Sequence, residues 1–180
     1  MKLKHVLLAG IAAGAANMAM ANTGTITFNG EIVNDTCTIT VDNGSSTTVT
    51  LPTVQSANLV SSGDTTGTTD FNLYITNCGA AVDARGITLT LTDPNNFDAI
   101  NNNLLKNIAT GTAATNVGIQ LATGTAFATP IDFAGTSHTT VTYATTDGAV
   151  TVPFSARYYA TGTATAGAVS STLGWTINYQ

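Results

Sequence analysis

Apolar and polar residues alternate with a two-residue period in short runs along most of the chain beyond residue 24. That is the pattern of strands with one buried face. The first run, GTITFNGEIV over 24–33, puts Ile26, Phe28, Gly30 and Ile32 on one face and Thr25, Thr27, Asn29 and Glu31 on the other. Cys37, Ile39 and Val41 then alternate with Thr38, Thr40 and Asp42, and a turn is predicted at 42–45. Val49 and Leu51 predict a short strand stopped by Pro52. Residues 55–69 are rich in Ser, Gly and Thr and read as a loop or a short edge strand.

Phe71, Leu73 and Ile75 resume the alternation and lead to Cys78-Gly79. Ile87, Leu89 and Leu91 form the next predicted strand, ended by Asp93-Pro94, and Leu104-Leu105 is an apolar plug after a polar loop. Val117, Ile119 and Leu121 alternate cleanly; Phe127, Ile131 and Phe133 flank Pro130 in a looser region. Val141 and Tyr143 follow, then Val150, Val152, Phe154, Ala156 and Tyr158. The last run places Leu173, Trp175, Ile177 and Tyr179 on one face and Thr172, Gly174, Thr176, Asn178 and Gln180 on the other. About eight or nine short strands separated by turns predict an all-β sandwich or barrel. No internal repeat is evident.

The first 21 residues are set apart. Lys2 and Lys4 precede an apolar, small-residue run over 6–16, and Ala19-Met20-Ala21 is a cleavage-site pattern. Together they predict a signal peptide and a mature chain starting at Asn22; the run is too short to span a bilayer comfortably. The mature chain of 159 residues keeps only Arg85, Lys106 and Arg157 against ten acidic residues, so the net charge moves from −5 to −7. That balance argues against a nucleic-acid surface. With 43% hydrophobic and 8% charged residues, the chain does not have the composition of a disordered protein.

Cys37 and Cys78 are the two cysteines. In an exported chain a disulfide is the default, with two buried thiols as the alternative. No C-x-x-C is present and His138 is the one histidine of the mature part, so no metal site is predicted. Asp93, Asn95 and Asp98 only loosely match calcium-loop spacing and lack the downstream Glu. His138 lies among Ser and Thr in what reads as a loop, without an obvious acid partner, so it is a surface histidine and no catalytic residue or cofactor is predicted.

Several stretches, in order along the mature chain, carry a resemblance. They are GTITFNGEIV ahead of the first cysteine; Cys37 and Cys78-Gly79; Leu104-Leu105-x-Asn107; Val117-Gly118-Ile119-Gln120; PFSARYYATG at 153–162; Gly167 fourteenth from the end; and a penultimate Tyr179. In these the chain resembles the chaperone–usher fimbrial pilins, specifically the major subunits of type 1-like fimbriae. The resemblance implies an incomplete immunoglobulin-like β-sandwich over 35–180 that lacks its last strand, with 22–34 as an N-terminal donor-strand arm. It implies that an arm carrying Ile26, Phe28, Gly30 and Ile32 fills a groove in a neighbouring subunit. It further implies a groove strand bearing Gly167, Leu173, Trp175, Ile177, Tyr179 and the carboxylate of Gln180, which a periplasmic chaperone covers until an outer-membrane usher exchanges it for the arm.

The function so implied is structural: a subunit of a surface fimbria, exported through the periplasm, whose partners are like subunits, the chaperone and the usher, with no enzyme activity, cofactor, nucleic acid or membrane insertion. A minor adaptor or terminator subunit is the alternative within the family. A free-standing secreted carbohydrate-binding sandwich is the alternative outside it, but Tyr158 and Tyr159 point to opposite faces and leave at most one for an aromatic platform.

Overall fold

The computed structural model describes residues 37–41, 47–79, 86–92, 97–98, 103–133 and 137–179, with side chains omitted for 137–142. The chain divides into two units, Met1–Ile32 and Val33–Gln180, and every described residue belongs to the second. Its strands are β1 (Thr38–Val41), β2 (Thr65–Thr76), β3 (Ile87–Thr92), β4 (Leu104–Lys106), β5 (Val117–Thr123), β6 (Thr129–Pro130), β7 (Ser137–Tyr143), β8 (Val150–Ala160) and β9 (Gly174–Tyr179).

They form two antiparallel sheets. One runs in the order β1-β2-β8-β5-β4, with β6 paired to the far end of β5; the other runs β7-β3-β9. The alternation of side chains makes the two sheets a sandwich. Ile39 and Val41, Phe71 and Ile75, Val152, Phe154 and Ala156, and Ile119 and Leu121 face inward from the larger sheet. Ile87, Leu89 and Leu91 meet them from β3, all at most 2% exposed. Each such aliphatic side chain contributes about 1.5–3 kcal/mol when fully buried. Phe71 and Phe154 stack at 5.8 Å between centroids, and Phe97 and Phe133 at 4.3 Å. A smaller cluster of Leu59, Ala114, Val117, Ala160 and Ala164 closes one end of the sandwich.

Three local expectations differ from the structure. The polar stretch 55–69 contains a turn of 3-10 helix at Ser56–Asn58 and then the first residues of β2, which starts at Thr65. Those threonines have no apolar alternation to advertise a strand. They are held by pairing with Tyr159, Tyr158 and Ala156 across a register shift between Thr66 and Thr69. Gly67, inside that shift at φ +70°, supplies the left-handed residue that such a bulge uses. Val49 and Leu51 are not in a strand; they sit in an extended segment packed against the core. His138, expected in a loop, lies in β7 opposite Leu91.

Cys37 and Cys78 form a disulfide with Cα atoms 4.2 Å apart, bridging 41 positions. It ties the residue just before β1 to the end of β2, at the pole where β9 also ends.

Candidate groove and the family it identifies

β1 borders the larger sheet and β9 borders the smaller one; among the described residues each is paired on one side only, β1 with β2 and β9 with β3. Between these two edges the sandwich is open. The opening is a groove of about 800 Å³. One wall is made by Ile39, Val41 and the segment 47–51, the other by 169–173 and Trp175, and the floor includes Phe71, Leu121 and Phe154. Among the described residues no charged one is in the lining, and its polar members are Thr and Ser hydroxyls and Tyr158.

A volume of this size is within the about 300–1,000 Å³ of small-molecule clefts, so volume alone does not settle what fits. The neighbouring strand edge adds a second feature. A row of backbone N–H and C=O groups along an apolar trench suits an extended chain, which satisfies the ladder and fills the trench with alternate side chains. Catalysis has little to work with here, since acid–base chemistry needs titratable groups that converge on a reacting atom.

The residues expected on the groove strand divide in two. Leu173 and Trp175 line the groove, and Trp175 is 44% exposed although it is the one tryptophan of the chain. Ile177 is half-buried against the core, and Tyr179 is exposed beyond the lined stretch. The Tyr179 hydroxyl accepts the backbone N–H of Cys37 at 2.9 Å. Gly167 lies ahead of the strand, where the chain crosses the 112–114 loop: a Cβ there would run into the backbone of Ala113 and Ala114. Gln180 lies outside the described residues, as do Ile26, Phe28, Gly30 and Ile32 expected on the arm, the stretch 1–21 expected to be a signal peptide, Asp93 and Asn95.

Residues that periodicity did not single out complete the walls. Val169 lines both the main groove and a second cavity of about 390 Å³ beside it, and packs against both apolar clusters. The peptides flanking Val169 are held by one side chain. Asn107 donates through Nδ2 to the carbonyls of Ala168 and Ala114, each at 2.9 Å, and accepts at Oδ1 from Ser170 and Ala109 N–H, each at 3.0 Å. All the bonding capacity of one primary amide is thereby used. Tyr158, whose hydroxyl donates to the Pro52 carbonyl at 3.2 Å, is also shared by the two cavities. Burial pushes its phenol pKa above the ordinary tyrosine value.

On the outer face of the larger sheet, the loop after β5 folds back over β8. Arg157 lies with its guanidinium 3.5 Å above the Phe127 ring, and its Nε and Nη2 both donate to Gln120 Oε1, at 2.9 and 2.8 Å. Desolvation lowers the Arg157 pKa from its usual value. The Ser155 hydroxyl accepts from Phe127 N–H and donates to the Gly124 carbonyl, while Asp70 accepts from Ala126 N–H. The Ser155 and Asp70 bonds hold the loop against the sheet.

Comparison with known proteins agrees with the sandwich and its open edge. The family model described as "Fimbrial protein" matches residues 26–180. The chain is 37% identical to the F17 fimbrial protein of Escherichia coli, over 94% of each. It is 38% identical to the major fimbrial subunit SMF-1 of Stenotrophomonas maltophilia strain K279a, over 93% of this chain and 99% of that one. A solved chaperone–usher pilus subunit shares its immunoglobulin-like fold with a TM-score of 0.60, at 18% identity over 92% of this chain and all of that one. The all-β sandwich, the family match over residues 26–180 and relatives covered over most of their length agree: the chain belongs to the fimbrial protein family and is a structural subunit of a surface fimbria.

Proposed function

We propose that this subunit joins its neighbours head to tail by strand addition, the groove beside β9 receiving the arm 22–34 of the next subunit. The observation that carries this is the open apolar groove of about 800 Å³ alongside an unpaired strand edge. The arm has the matching form. Ile26, Phe28 and Ile32 share a face, and three large apolar side chains of that kind contribute roughly 4.5–9 kcal/mol before ordering costs. Gly30 leaves a gap on that face, which suits a level where the two backbones come close. Main-chain pairing along the arm adds to the apolar term.

An arm that leaves one subunit and fills the next is a heterologous contact that does not close on itself, so it propagates a filament. Before assembly the groove needs a cover, since exposed apolar surface and an unpaired edge invite aggregation. A periplasmic chaperone strand supplying that cover, and an outer-membrane usher replacing it with the next arm, complete the scheme. It follows export through the periplasm on the signal peptide over 1–21. The chain's match in length and sequence to a protein named a major fimbrial subunit favours a place in the repeating rod over an adaptor or terminator.

The experiment compares the mature protein from Asn22 with a version starting at Val33, by size-exclusion chromatography and by SDS gel without boiling. The expected result is a ladder of SDS-resistant polymers from the first and a folded, non-polymerising species from the second. Two stable monomers with one melting temperature would overturn the proposal.

A further inference from the structure

The groove does not run the whole length of β9. Its lining reaches from Val169 through Leu173 to Trp175 and stops short of Ile177 and Tyr179. At that limit one side chain crosses from one sheet to the other. Tyr179 belongs to β9 in the smaller sheet, and its hydroxyl meets the N–H of Cys37, the residue preceding β1 of the larger sheet, at 2.9 Å. We propose that this bridge is a latch that ends the groove, and that a strand pairing along all of β9 must open it.

The two halves of the latch are unequal. Cys37 is held by its disulfide to Cys78, which is fully buried at the end of β2. The N–H is therefore fixed to the frame. The phenol is on the last residue of β9, is 38% exposed, and can swing outward about its own side-chain torsions. Opening the latch breaks one neutral hydrogen bond and leaves the disulfide and the sheet ladders intact.

Length makes the opening necessary. The lined stretch from Val169 to Trp175 accommodates about seven strand residues, near 23 Å at 3.3 Å each. The alternating arm from Gly24 to Val33 is about ten residues long, near 33 Å. An arm of that length overruns the lined stretch by about three residues, and an overrun along β9 past Trp175 meets Tyr179. In the unfilled subunit the latch holds the two edges together at the disulfide pole. On filling, it yields and frees the amide at the root of the subunit's own arm.

The inference rests on the strand-addition reading, and the test separates the two. A fluorescent peptide of sequence 24–33 is mixed with the full mature chain, wild type or Tyr179→Phe, together with two shorter peptides lacking three residues at one end or the other. Tyr179→Phe keeps the ring and removes the hydroxyl. The full peptide is expected to associate with it about two- to tenfold faster than with wild type, the range set by one net hydrogen bond. One of the trimmed peptides, the one lacking the end that reaches Tyr179, is expected to lose that difference while the other keeps it. Equal association rates for wild type and variant would overturn the latch, and so would an equal gain for all three peptides, which marks general loosening. Failure of every peptide to bind wild-type monomer isolated by size exclusion would overturn strand addition itself, and the latch with it. Thermal unfolding of the two empty proteins serves as control: a melting temperature lowered by the loss of one exposed hydrogen bond alone supports the latch, and gross unfolding moves the test to protection of the Cys37 amide from hydrogen exchange, which must fall when wild type binds the full peptide.

Discussion

Asn107 accepts the backbone N–H of Ser170 at 3.0 Å, joining positions 63 residues apart. With its bond to the Ala168 carbonyl it grips the peptides on both sides of Val169, so one amide side chain positions the end wall of the groove. Asn107→Ala strips the partners from Ser170 and Ala109 N–H, and the loss is expected to destabilise the fold by about 2–3 kcal/mol. Asn107→Asp should be no better, since it replaces an NH₂ donor by an oxygen facing the carbonyls of Ala114 and Ala168. Urea unfolding midpoints at constant slope measure both.

Arg157 and Gln120 make a similar prediction on the outer face. Gln120 is 3% exposed and its Oε1 takes both guanidinium bonds. Arg157→Ala leaves that oxygen without these donors and Phe127 without its cover, at an expected cost of about 1–3 kcal/mol. Arg157→Lys should recover little of it, because an ammonium offers neither the paired fork nor the flat stacking surface. Fluorescence-monitored denaturation of the two variants decides the point.

The disulfide bridges a separation of 41 residues. In the chain-entropy account a loop of that size stabilises by about 4 kcal/mol. Reduction, or Cys37→Ser with Cys78→Ser, is expected to lower the denaturant midpoint accordingly. An unchanged midpoint after verified reduction would show that the strand ladders alone hold the first strand.

Tyr158 sets an alkaline limit. Its folded pKa is raised by burial, so the folded state favours the protonated phenol. The stability from that preference is fully present below the unfolded tyrosine pKa, about 10, and is lost as pH rises through the higher folded value. The phenolate also cannot donate to the Pro52 carbonyl. Stability measured from pH 9 upward should fall, and Tyr158→Phe should flatten that limb.

The resemblance in the chain extended to the family, and the order of strands was legible wherever one face is fully buried. Ile87, Leu89 and Leu91 on β3, and Val152, Phe154 and Ala156 on β8, alternate because a strand packed on one side leaves no freedom of parity. The start of β2 was not legible. Thr65–Thr69 contributes backbone pairing and a glycine bulge to β8, and carries no apolar signature. Val49 and Leu51 misled for the opposite reason: alternation records which side chains face the core, and they are half-buried beside the groove in a segment outside the named strands.

Of the groove, Leu173 and Trp175 were visible as a terminal apolar face, and Cys37 and Cys78 as a pair. Asn107 was visible only as part of a motif, because its work is done with backbone groups distant in sequence, which no local pattern encodes. Tyr179 was read as part of a groove-facing strand, yet its hydroxyl reaches across the seam to Cys37.

By itself, the sequence determined the all-β class, the inward faces, the pair of cysteines and the two amphipathic end segments, because alternation and composition are properties of neighbours along the chain. Only the tertiary structure decided that β1 and β9 border different sheets, that among the described residues a groove between them is lined as far as Trp175, and that the Tyr179 hydroxyl meets Cys37 beyond it. The physical reason is that an edge is defined by the strand absent beside it. A chain records the partners its residues are shaped for, and the order in which strands stack decides which partner is missing.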